Sequence, residues 1–312
     1  MKVEFWGVRG SIPSPLTSEQ IKSKIQAVVQ RISEKDLLSQ DSRQNFIDNL
    51  PVWLNGTTGG NTSCVCITNE NKTNFILDAG SGIRTLGKKL VEQNRNVFHI
   101  FFSHFHWDHI QGLPFFDPFF NPKSEIHFYS PKAGLKEYLE QQAESPFFPV
   151  SMKSMNQENM HFHQINEEEP LFIDDTKITV KKMSHPDDSY SFSFEENGKK
   201  VVYATDVELK SNQINDKSIL DFFSNANVLI LDAQYTAPEA IQKENWGHSS
   251  YNYAVDFALT CKVANLFFFH HEPMYDDKKL NTILQNARMY ADYADSSKLK
   301  INLAIEGKNI TL

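Results

Sequence analysis

The chain alternates short apolar runs with longer segments in which apolar side chains recur every three or four residues. Residues 97–102 form an almost wholly apolar run that predicts a buried strand, and the spacing in residues 83–92 predicts an amphipathic helix. Strands are predicted at residues 3–6, 63–68, 74–77, 97–102, 125–129, 177–183, 191–195, 200–204, 228–231, 266–269, 301–304 and 310–312, and helices at residues 83–92, 134–142, 250–260 and 280–293. Strands with helices between them predict a mixed α/β sandwich.

Residues 18–50 interrupt this alternation, because their apolar side chains follow a helical period without an intervening strand. We predict a helical insertion at about residues 16–55. No Gly-, Ser- or Pro-rich linker divides the chain, so the prediction is a single domain over residues 1–312. The insertion is expected to serve either as a rim or lid of a site or as a packing element or homodimer contact.

The highest concentration of possible metal-binding side chains follows the predicted strand at residues 97–102. Residues 103–109 read Ser-His-Phe-His-Trp-Asp-His and are followed by Gly112-Leu113-Pro114. Three imidazoles and a carboxylate within six residues predict a ligand-bearing loop at a strand end. The spacing provides ligands for two adjacent metal sites, which makes a two-metal hydrolytic centre the leading hypothesis.

Composition narrows the class of substrate. Of the 312 residues, 40% are hydrophobic and 24 are Phe, which is ample for a sizeable core, and 31 Lys and Arg against 39 Asp and Glu give a net charge of −8. No basic run resembles a surface for nucleic acid, so a small substrate is favoured over a long RNA or DNA partner.

Cysteine usage and hydropathy suggest the compartment. There are three cysteines, and Cys64 and Cys66 lie two apart in a strand-like segment, which predicts buried reduced thiols rather than a disulfide scaffold. Glu4 interrupts the apolar residues at the N-terminus, and no stretch reaches the roughly 20 apolar residues that a membrane span needs. We therefore predict a cytoplasmic protein without membrane partners.

The His-x-His-x-Asp-His spacing at residues 104–109 resembles the signature of the metallo-β-lactamase-fold hydrolases. Further landmarks of that family follow in order along most of the chain, at residues 5–11, 59–63, 77–82, 184–186, 203–206, 247–249 and 269–273. The resemblance implies an αββα fold, in which helices flank two facing β-sheets, and a metal-dependent hydrolase.

The resemblance also implies two divalent metal ions. The first would be held by His104, His106 and His185, the second by Asp108, His109 and His270, and Asp206 would bridge the two. Imidazole and carboxylate ligands without a thiolate suit Zn²⁺, the leading candidate, and also Mn²⁺ or Fe. His271 is the alternative ligand to His270.

Asp206 and His248 resemble the phosphodiesterase branch of the family, which includes tRNase Z and class II cyclic-nucleotide phosphodiesterases. The implied reaction is hydrolysis of a small phosphodiester, such as a cyclic nucleotide, by a hydroxide that bridges the metals. Asp108, Asp206 and His248 are the predicted catalytic residues. His248 is expected to contact phosphate or to protonate the leaving group.

Three residues are predicted to bind substrate, namely Arg9, Asn61 and His271. A guanidinium suits a phosphate, but a structural ion pair of Arg9 is an equal alternative, and Asn61 could instead close a turn. Asp78 and Asp232 are expected to hydrogen-bond ligand histidines. Specificity is expected in the insertion and in the loops at residues 115–122 and 147–160. The remaining histidines, His99, His127, His161 and His163, are interpreted as structural.

Other functions stay open at this point. One is an RNA-processing nuclease of the tRNase Z type, although the chain shows no Gly-, Pro- and Lys-rich arm that would grip tRNA. Another is hydrolysis of a thioester or lactam by the same fold. A metal-binding sensor or an iron-dependent redox member is a third, disfavoured by the complete ligand set and by the absence of room for a flavin domain.

Overall fold

Two seven-stranded sheets form the centre of the protein. The computed structural model describes residues 1–152, 157–210, 214–294 and 299–312, so residues 153–156 of the predicted loop at 147–160 lie outside the described part. The strands are β1 Lys2–Gly7, β2 Cys64–Thr68, β3 Asn74–Leu77, β4 Val97–Phe101, β5 Glu125–Ser130, β6 Met160–Gln164, β7 Leu171–Ile173, β8 Thr176–Met183, β9 Ser189–Glu196, β10 Lys199–Ala204, β11 Val228–Asp232, β12 Asn265–Phe269, β13 Lys300–Leu303 and β14 Asn309–Thr311. Their order is β14-β1-β2-β3-β4-β5-β6 in one sheet and β13-β12-β11-β10-β9-β8-β7 in the other.

Helices cover the outer face of each sheet. The α-helices of the described residues are α1 Ser18–Val29, α2 Gln40–Asp48, α3 Val52–Asn55, α4 Ile83–Glu92, α5 Trp107–Ile110, α6 Leu135–Gln142, α7 Lys217–Phe223, α8 Ala237–Gln242, α9 Tyr251–Thr260 and α10 Asp277–Ala294. Apolar side chains of α4 and α6 pack on the first sheet, and those of α7, α9 and α10 pack on the second. The predicted αββα arrangement is confirmed.

Aromatic side chains fill the space between the two sheets. Phe75 and Phe101 of the first sheet contact Phe194 of the second, with ring centroids 5.3 and 5.5 Å from that of Phe194. All three rings are fully buried. Burial of such rings dominates core energetics, so this aromatic layer holds the two sheets in one relative position.

The carboxyl ends of several strands meet at one edge of the sandwich. β3 and β4 run parallel in the first sheet, and β10, β11 and β12 run parallel in the second. The residues that follow these strands therefore lie at the same edge, as in other sheets with parallel strands. Asp78, His104, Asp206 and His270 occupy such positions.

Two strands were not predicted, β6 and β7, and each is an edge strand of its sheet. β6 reads Met-His-Phe-His-Gln, in which polar imidazoles alternate with Met160 and Phe162. Side chains alternate between the two faces of a strand in this way, but the two histidines leave the segment without the apolar run that predicts a strand.

The insertion is helical as predicted, and it packs beside α10. The Nζ of Lys24 forms an ion pair with Asp277 and donates a hydrogen bond of 2.6 Å to the carbonyl of Gly56. No residue of α1 or α2 is fully buried. Most of the apolar surface of these two helices is therefore exposed in the isolated chain.

Within the described ranges, every helix is too short or too polar to serve as a membrane span.

Candidate metal centre

The loop after β4 brings two histidines against a third from the opposite sheet. The Nε2 of His104 lies 2.9 Å from the Nδ1 of His106, which lies 3.2 Å from the Nε2 of His185. His104 comes from the end of β4, whereas His185 comes from the end of β8 in the second sheet. These three ring nitrogens form the first group of donors.

A second group lies beside the first. The Oδ2 of Asp108 is 3.2 Å from the Nε2 of His109 and 3.1 Å from the Nε2 of His270. The short helix α5 carries Asp108 and His109, while His270 directly follows β12. Both sheets therefore contribute to this group as well.

Asp206 lies between the two groups, with one carboxylate oxygen facing each. Its Oδ1 is 3.7 Å from the Nε2 atoms of both His104 and His185. Its Oδ2 is 3.1 Å from the Nε2 of His109 and 3.4 Å from that of His270. This is the arrangement by which one carboxylate can be shared by two adjacent cations.

The spacing of the donors fits a metal ion. Bonds of about 2.0–2.1 Å in a tetrahedral site separate the ligand atoms by about 3.3–3.4 Å, close to the separations observed in both groups. In addition, the Nε2 of His109 is fully buried and has no hydrogen-bond partner among the described residues. A buried ring nitrogen that faces carboxylate oxygens without a hydrogen bond is suited to bind a metal ion.

Hydrogen bonds on the far side of the rings orient the donors. The Nδ1 of His109 is 2.8 Å from Asp78, that of His185 is 2.9 Å from the carbonyl of Gly247, and that of His104 is 3.1 Å from the hydroxyl of Ser103. When Nδ1 carries the proton, Nε2 is left as a lone-pair donor toward the centre of the cluster.

Asp78 accepts several hydrogen bonds, including the predicted one from a histidine of the cluster. Its carboxylate accepts hydrogen bonds from the backbone N–H and hydroxyl of Ser103, both at 2.8 Å, and from the hydroxyl of Tyr203 at 2.7 Å, besides that of His109. The contribution of Tyr203 was not predicted. Its signal was present in the sequence, because the hydroxyl of a tyrosine in a buried strand needs a partner.

The protonation states suit cation binding. Burial lowers the pKa of His104 well below its ordinary value and also lowers the pKa of His106 and His185, so these rings are neutral at neutral pH. Burial alone would raise the pKa of Asp206, but His270 and His109 outweigh it and hold that pKa well below the usual range. Neutral imidazoles beside an ionised carboxylate are the forms that bind metals.

His248 lies against the cluster, and its ring is oriented by the carboxylate of Asp232. Its Nδ1 donates a hydrogen bond of 2.7 Å to the Oδ2 of Asp232, and its ring stacks on His270 with centroids 4.9 Å apart. Burial opposes a charged ring, but the Asp232 carboxylate outweighs it and raises the pKa of His248 to about 9. The ring is therefore protonated at neutral pH and can provide a proton at Nε2.

A pocket of about 430 Å³ opens over these residues. It is lined by Ser11, Phe105, His106, Trp107, Asp108, Asp206, His248 and His270. The backbone N–H of Ser11 donates a hydrogen bond of 2.8 Å to Asp108, a contact that the sequence reasoning missed. A second pocket, of about 610 Å³, shares Phe105 and Trp107 with the first and is otherwise mostly apolar.

Arg9 is not among the residues that line either pocket. Its guanidinium is buried and donates hydrogen bonds of 2.8 Å to the carbonyls of Gly59 and Tyr275 and one of 3.2 Å to that of Glu272. These contacts tie three loops together through backbone carbonyls. The Arg9 side chain therefore stabilises the fold through backbone carbonyls, whereas a substrate phosphate or an ion pair was predicted as its partner.

Asn61 and His271, the other expected substrate contacts, are likewise engaged internally. Asn61 bonds through its side-chain amide to Glu306 at 2.9 Å. The Nε2 of His271 donates a hydrogen bond of 2.9 Å to the carbonyl of Ala304, and burial lowers the pKa of His271 to about 3. Of the two adjacent histidines, His270 is thus the one that faces the cluster.

Several site residues adopt backbone conformations that side chains disfavour. Asp78, Asp206 and His270 have φ values of 59°, 54° and 58°, and Ser11 has 58°. Such left-handed conformations cost on the order of 1–3 kcal/mol each and concentrate at functional loops. The surrounding packing must offset this cost to keep the donors converged.

The family follows from this fold and from the sequence. Residues 73–271 match the family described as Beta-lactamase superfamily domain, and the chain belongs to that superfamily. It is a hydrolase of the metallo-β-lactamase fold, a fold that implies binding of divalent metal, as the paired histidine and aspartate groups also indicate.

Individual relatives are distant. Ribonuclease Z of Picrophilus torridus is 24% identical over 273 residues, covering 74% of this chain and 85% of that protein. Zn²⁺-bound PqqB from Methylobacterium extorquens has a similar structure, with a TM-score of 0.69, 12% identity and full coverage of both chains. The short form of human tRNase Z matches with a TM-score of 0.60 and 18% identity, covering 100% and 99% of the two chains.

Gly247 gives a test of the support around His185. A Cβ at Gly247 would lie 2.1 Å from the Nδ1 of His185, so Gly247→Ala must displace that ring. We expect metal affinity to fall by about 10- to 100-fold, as for other losses of support behind a ligand. Metal content after dialysis against graded chelator concentrations measures it.

Gly198→Ala is the matched control. Gly198 also has a positive φ, +71° against +87° for Gly247, but a Cβ there meets nothing within 4 Å. Both variants carry the strain of a left-handed alanine, about 1–2 kcal/mol. Equal metal retention by the two variants would contradict the role given to the contact between Gly247 and His185.

Proposed function

We propose that this protein is a dinuclear metal-dependent phosphodiesterase that acts on a small phosphodiester such as a cyclic nucleotide. The observation that carries the proposal is Asp206, whose two carboxylate oxygens each face one group of donors. In this proposal His104, His106 and His185 would hold the first cation, Asp108, His109 and His270 would hold the second, and Asp206 would contribute to both. Zn²⁺ is the leading candidate, and Mn²⁺ or Fe also suits these ligands.

When bound, the two cations supply Lewis-acid activation of water and of the phosphoryl group. The protein's own residues then have three tasks. Asp206 and Asp108 hold negative charge in the centre of the site, Asp78 keeps His109 oriented, and the loop carrying Ser11 closes the pocket beside Asp108. Together they fix the position of the reacting groups, which is the main protein contribution to such reactions.

His248 is proposed as the general acid. Asp232 accepts the hydrogen bond from Nδ1, which leaves the protonated Nε2 for the leaving oxygen in the pocket that His248 lines. The pKa of about 9 keeps this proton in place at neutral pH. A poor alkoxide leaving group needs such a proton, whereas a nitrophenolate does not.

The apolar pocket beside the site supports a small substrate with an aromatic group. Its lining includes Phe105, Trp107, Phe115 and Tyr138, and it contains no Lys or Arg among the described lining residues. Aromatic walls suit a nucleobase, which can stack on them. A long RNA would instead call for a basic groove along the phosphate backbone. The aromatic residues of the loops at 115–122 and 147–160 that line this pocket are the proposed determinants of specificity.

RNA processing is the second candidate function. The observation in its favour is the match to Ribonuclease Z of Picrophilus torridus over most of both chains. The same donors and the same general acid would serve an RNA phosphodiester, so only the groups that bind the rest of the substrate distinguish the two candidates.

Asp206→Asn tests the dinuclear assignment. The amide keeps the size of the side chain but removes the charge shared by both groups, so metal content should fall and hydrolysis of bis-nitrophenyl phosphate should drop at least about 100-fold. Asp187→Asn, a loss of the same charge at an exposed position near His185, should leave both unchanged. Full metal content and full turnover in Asp206→Asn would refute the assignment.

His248→Ala tests the general acid. We expect metal content to stay at the wild-type level, and kcat to fall by about 100- to 10,000-fold for a substrate with an alkoxide leaving group. The loss should be much smaller with a nitrophenolate leaving group. An equal loss for good and poor leaving groups would rule out proton donation by His248.

A substrate panel on one preparation separates the two candidate functions. We expect turnover of cyclic mononucleotides or cyclic dinucleotides to exceed that of a tRNA precursor, with little dependence on salt, because the aromatic pocket contributes no cationic side chains. Preferred cleavage of RNA, with kcat/KM falling steeply as salt rises, would favour the nuclease instead.

A further inference from the structure

A second group of histidines lies on the first sheet, outside the site described above. His99 on β4, His127 on β5 and His161 on β6 are paired across these parallel strands in one row. Their rings stack, with centroids 4.9 Å apart between His99 and His127 and 4.6 Å apart between His127 and His161. The row lies toward the amino ends of β5 and β6, whereas the candidate metal centre follows the carboxyl ends of the strands.

Glu125, the first residue of β5, forms a set of possible metal donors with two histidines of this row, His127 and His161. Its Oε1 lies 3.1 Å from the Nε2 of His127 and 3.5 Å from the Nε2 of His161. The three donor atoms all lie within 4.8 Å of one another. These separations resemble those within the two donor groups of the candidate metal centre, and they fit a cation with bonds of about 2.0–2.2 Å.

The site is accessible from solvent. The side chains of Glu125 and His161 are 48% and 40% exposed, and that of His127 is 19% exposed. Two imidazoles and one carboxylate leave coordination positions open, and water can fill these at an exposed site.

His163 supports the orientation of the central ligand. Its Nε2 is 3.0 Å from the Nδ1 of His127, so a proton on that Nδ1 can be donated to His163. The Nε2 of His127 then presents its lone pair beside Glu125, the arrangement found behind most metal-bound histidines.

We propose that Glu125, His127 and His161 bind one divalent transition-metal cation of the Zn²⁺, Ni²⁺ or Cu²⁺ class, separate from the catalytic pair. Imidazole with a single carboxylate selects these ions over Mg²⁺ or Ca²⁺. The cation links β6, the edge strand, to β5. This inference does not depend on the proposed reaction, because none of its ligands belongs to the catalytic centre.

The zinc content of the wild type and of ligand variants tests this proposal. The purified protein is stripped with chelator, reloaded with Zn²⁺, dialysed and analysed for zinc per chain. His161→Phe, which keeps an aromatic ring against His127, and Glu125→Gln should each retain one equivalent fewer than the wild type. Both should keep wild-type turnover of bis-nitrophenyl phosphate. Glu168→Gln, an exposed acid on the segment after β6, is the matched control and should lose no zinc.

A second measurement locates the cation independently of stoichiometry. Paramagnetic Ni²⁺ added to the chelator-stripped protein, beyond the two equivalents expected at the catalytic pair, should broaden the ring proton signals of His127 and His161, and Glu125→Gln should require at least about tenfold more Ni²⁺ for the same effect. Unchanged zinc content in both variants, or Ni²⁺ broadening that ignores these rings, would overturn the proposal. Because Glu125→Gln alters an exposed side chain, a folding failure of His161→Phe would leave the test intact.

Discussion

Three carboxylates, those of Asp78, Asp108 and Asp206, are buried within one small volume, and they can remain there only if opposite charge or hydrogen bonds compensate them. Asp78 is compensated by donors from Ser103, His109 and Tyr203. Asp206 and Asp108 face the Nε2 atoms of His109 and His270, and Asp108 also accepts a hydrogen bond from the backbone N–H of Ser11. Their charges hold the pKa of His109 well above its ordinary value although burial opposes it, so positive charge is stabilised at this point. The proposed cations would satisfy that demand more fully than a proton, because they carry more positive charge.

The need to compensate these charges explains why both sheets must keep a fixed relative position. His104 and His109 follow a strand of the first sheet, whereas Asp206 and His270 follow strands of the second. A small slip between the sheets would separate the donors by more than the fraction of an ångström that coordination tolerates. The aromatic layer between the sheets resists this slip, since close-packed interiors deform little. It also offsets the backbone strain at the loop residues with positive φ.

Much of the candidate site could be predicted from sequence, because its ligands come from motifs at the ends of strongly apolar strands. The run at residues 104–109 indicated a metal by itself, and the apolar runs before Asp206 and His270 placed both at strand ends. Arg9, Asn61 and His271 are the instructive departures. Their residue types suit a phosphate, but each is engaged by groups distant in the chain, such as Tyr275, Glu306 and Ala304. The local sequence does not show which distant group each of these side chains will contact in the folded protein.

The histidines of β5 and β6 are the converse case, because the sheet brings together residues that had been interpreted as structural. Taken singly, His127 and His161 looked structural, since each occupies an ordinary alternating position. Parallel pairing of the two strands sets these positions side by side and adds Glu125. Register between strands 34 residues apart in the chain is decided by the packing of whole sheets, which no single segment encodes.

The sequence by itself therefore determined the fold class, the strongest ligand cluster and the strand ends that carry the other ligands, because these depend on local hydrophobic periodicity and residue chemistry. The tertiary structure alone decided which of His270 and His271 faces the cluster, how Asp206 divides its oxygens, and which histidines meet on the first sheet. Those outcomes depend on distances of a few ångströms between chain segments far apart in sequence, and such distances are fixed only when both sheets pack.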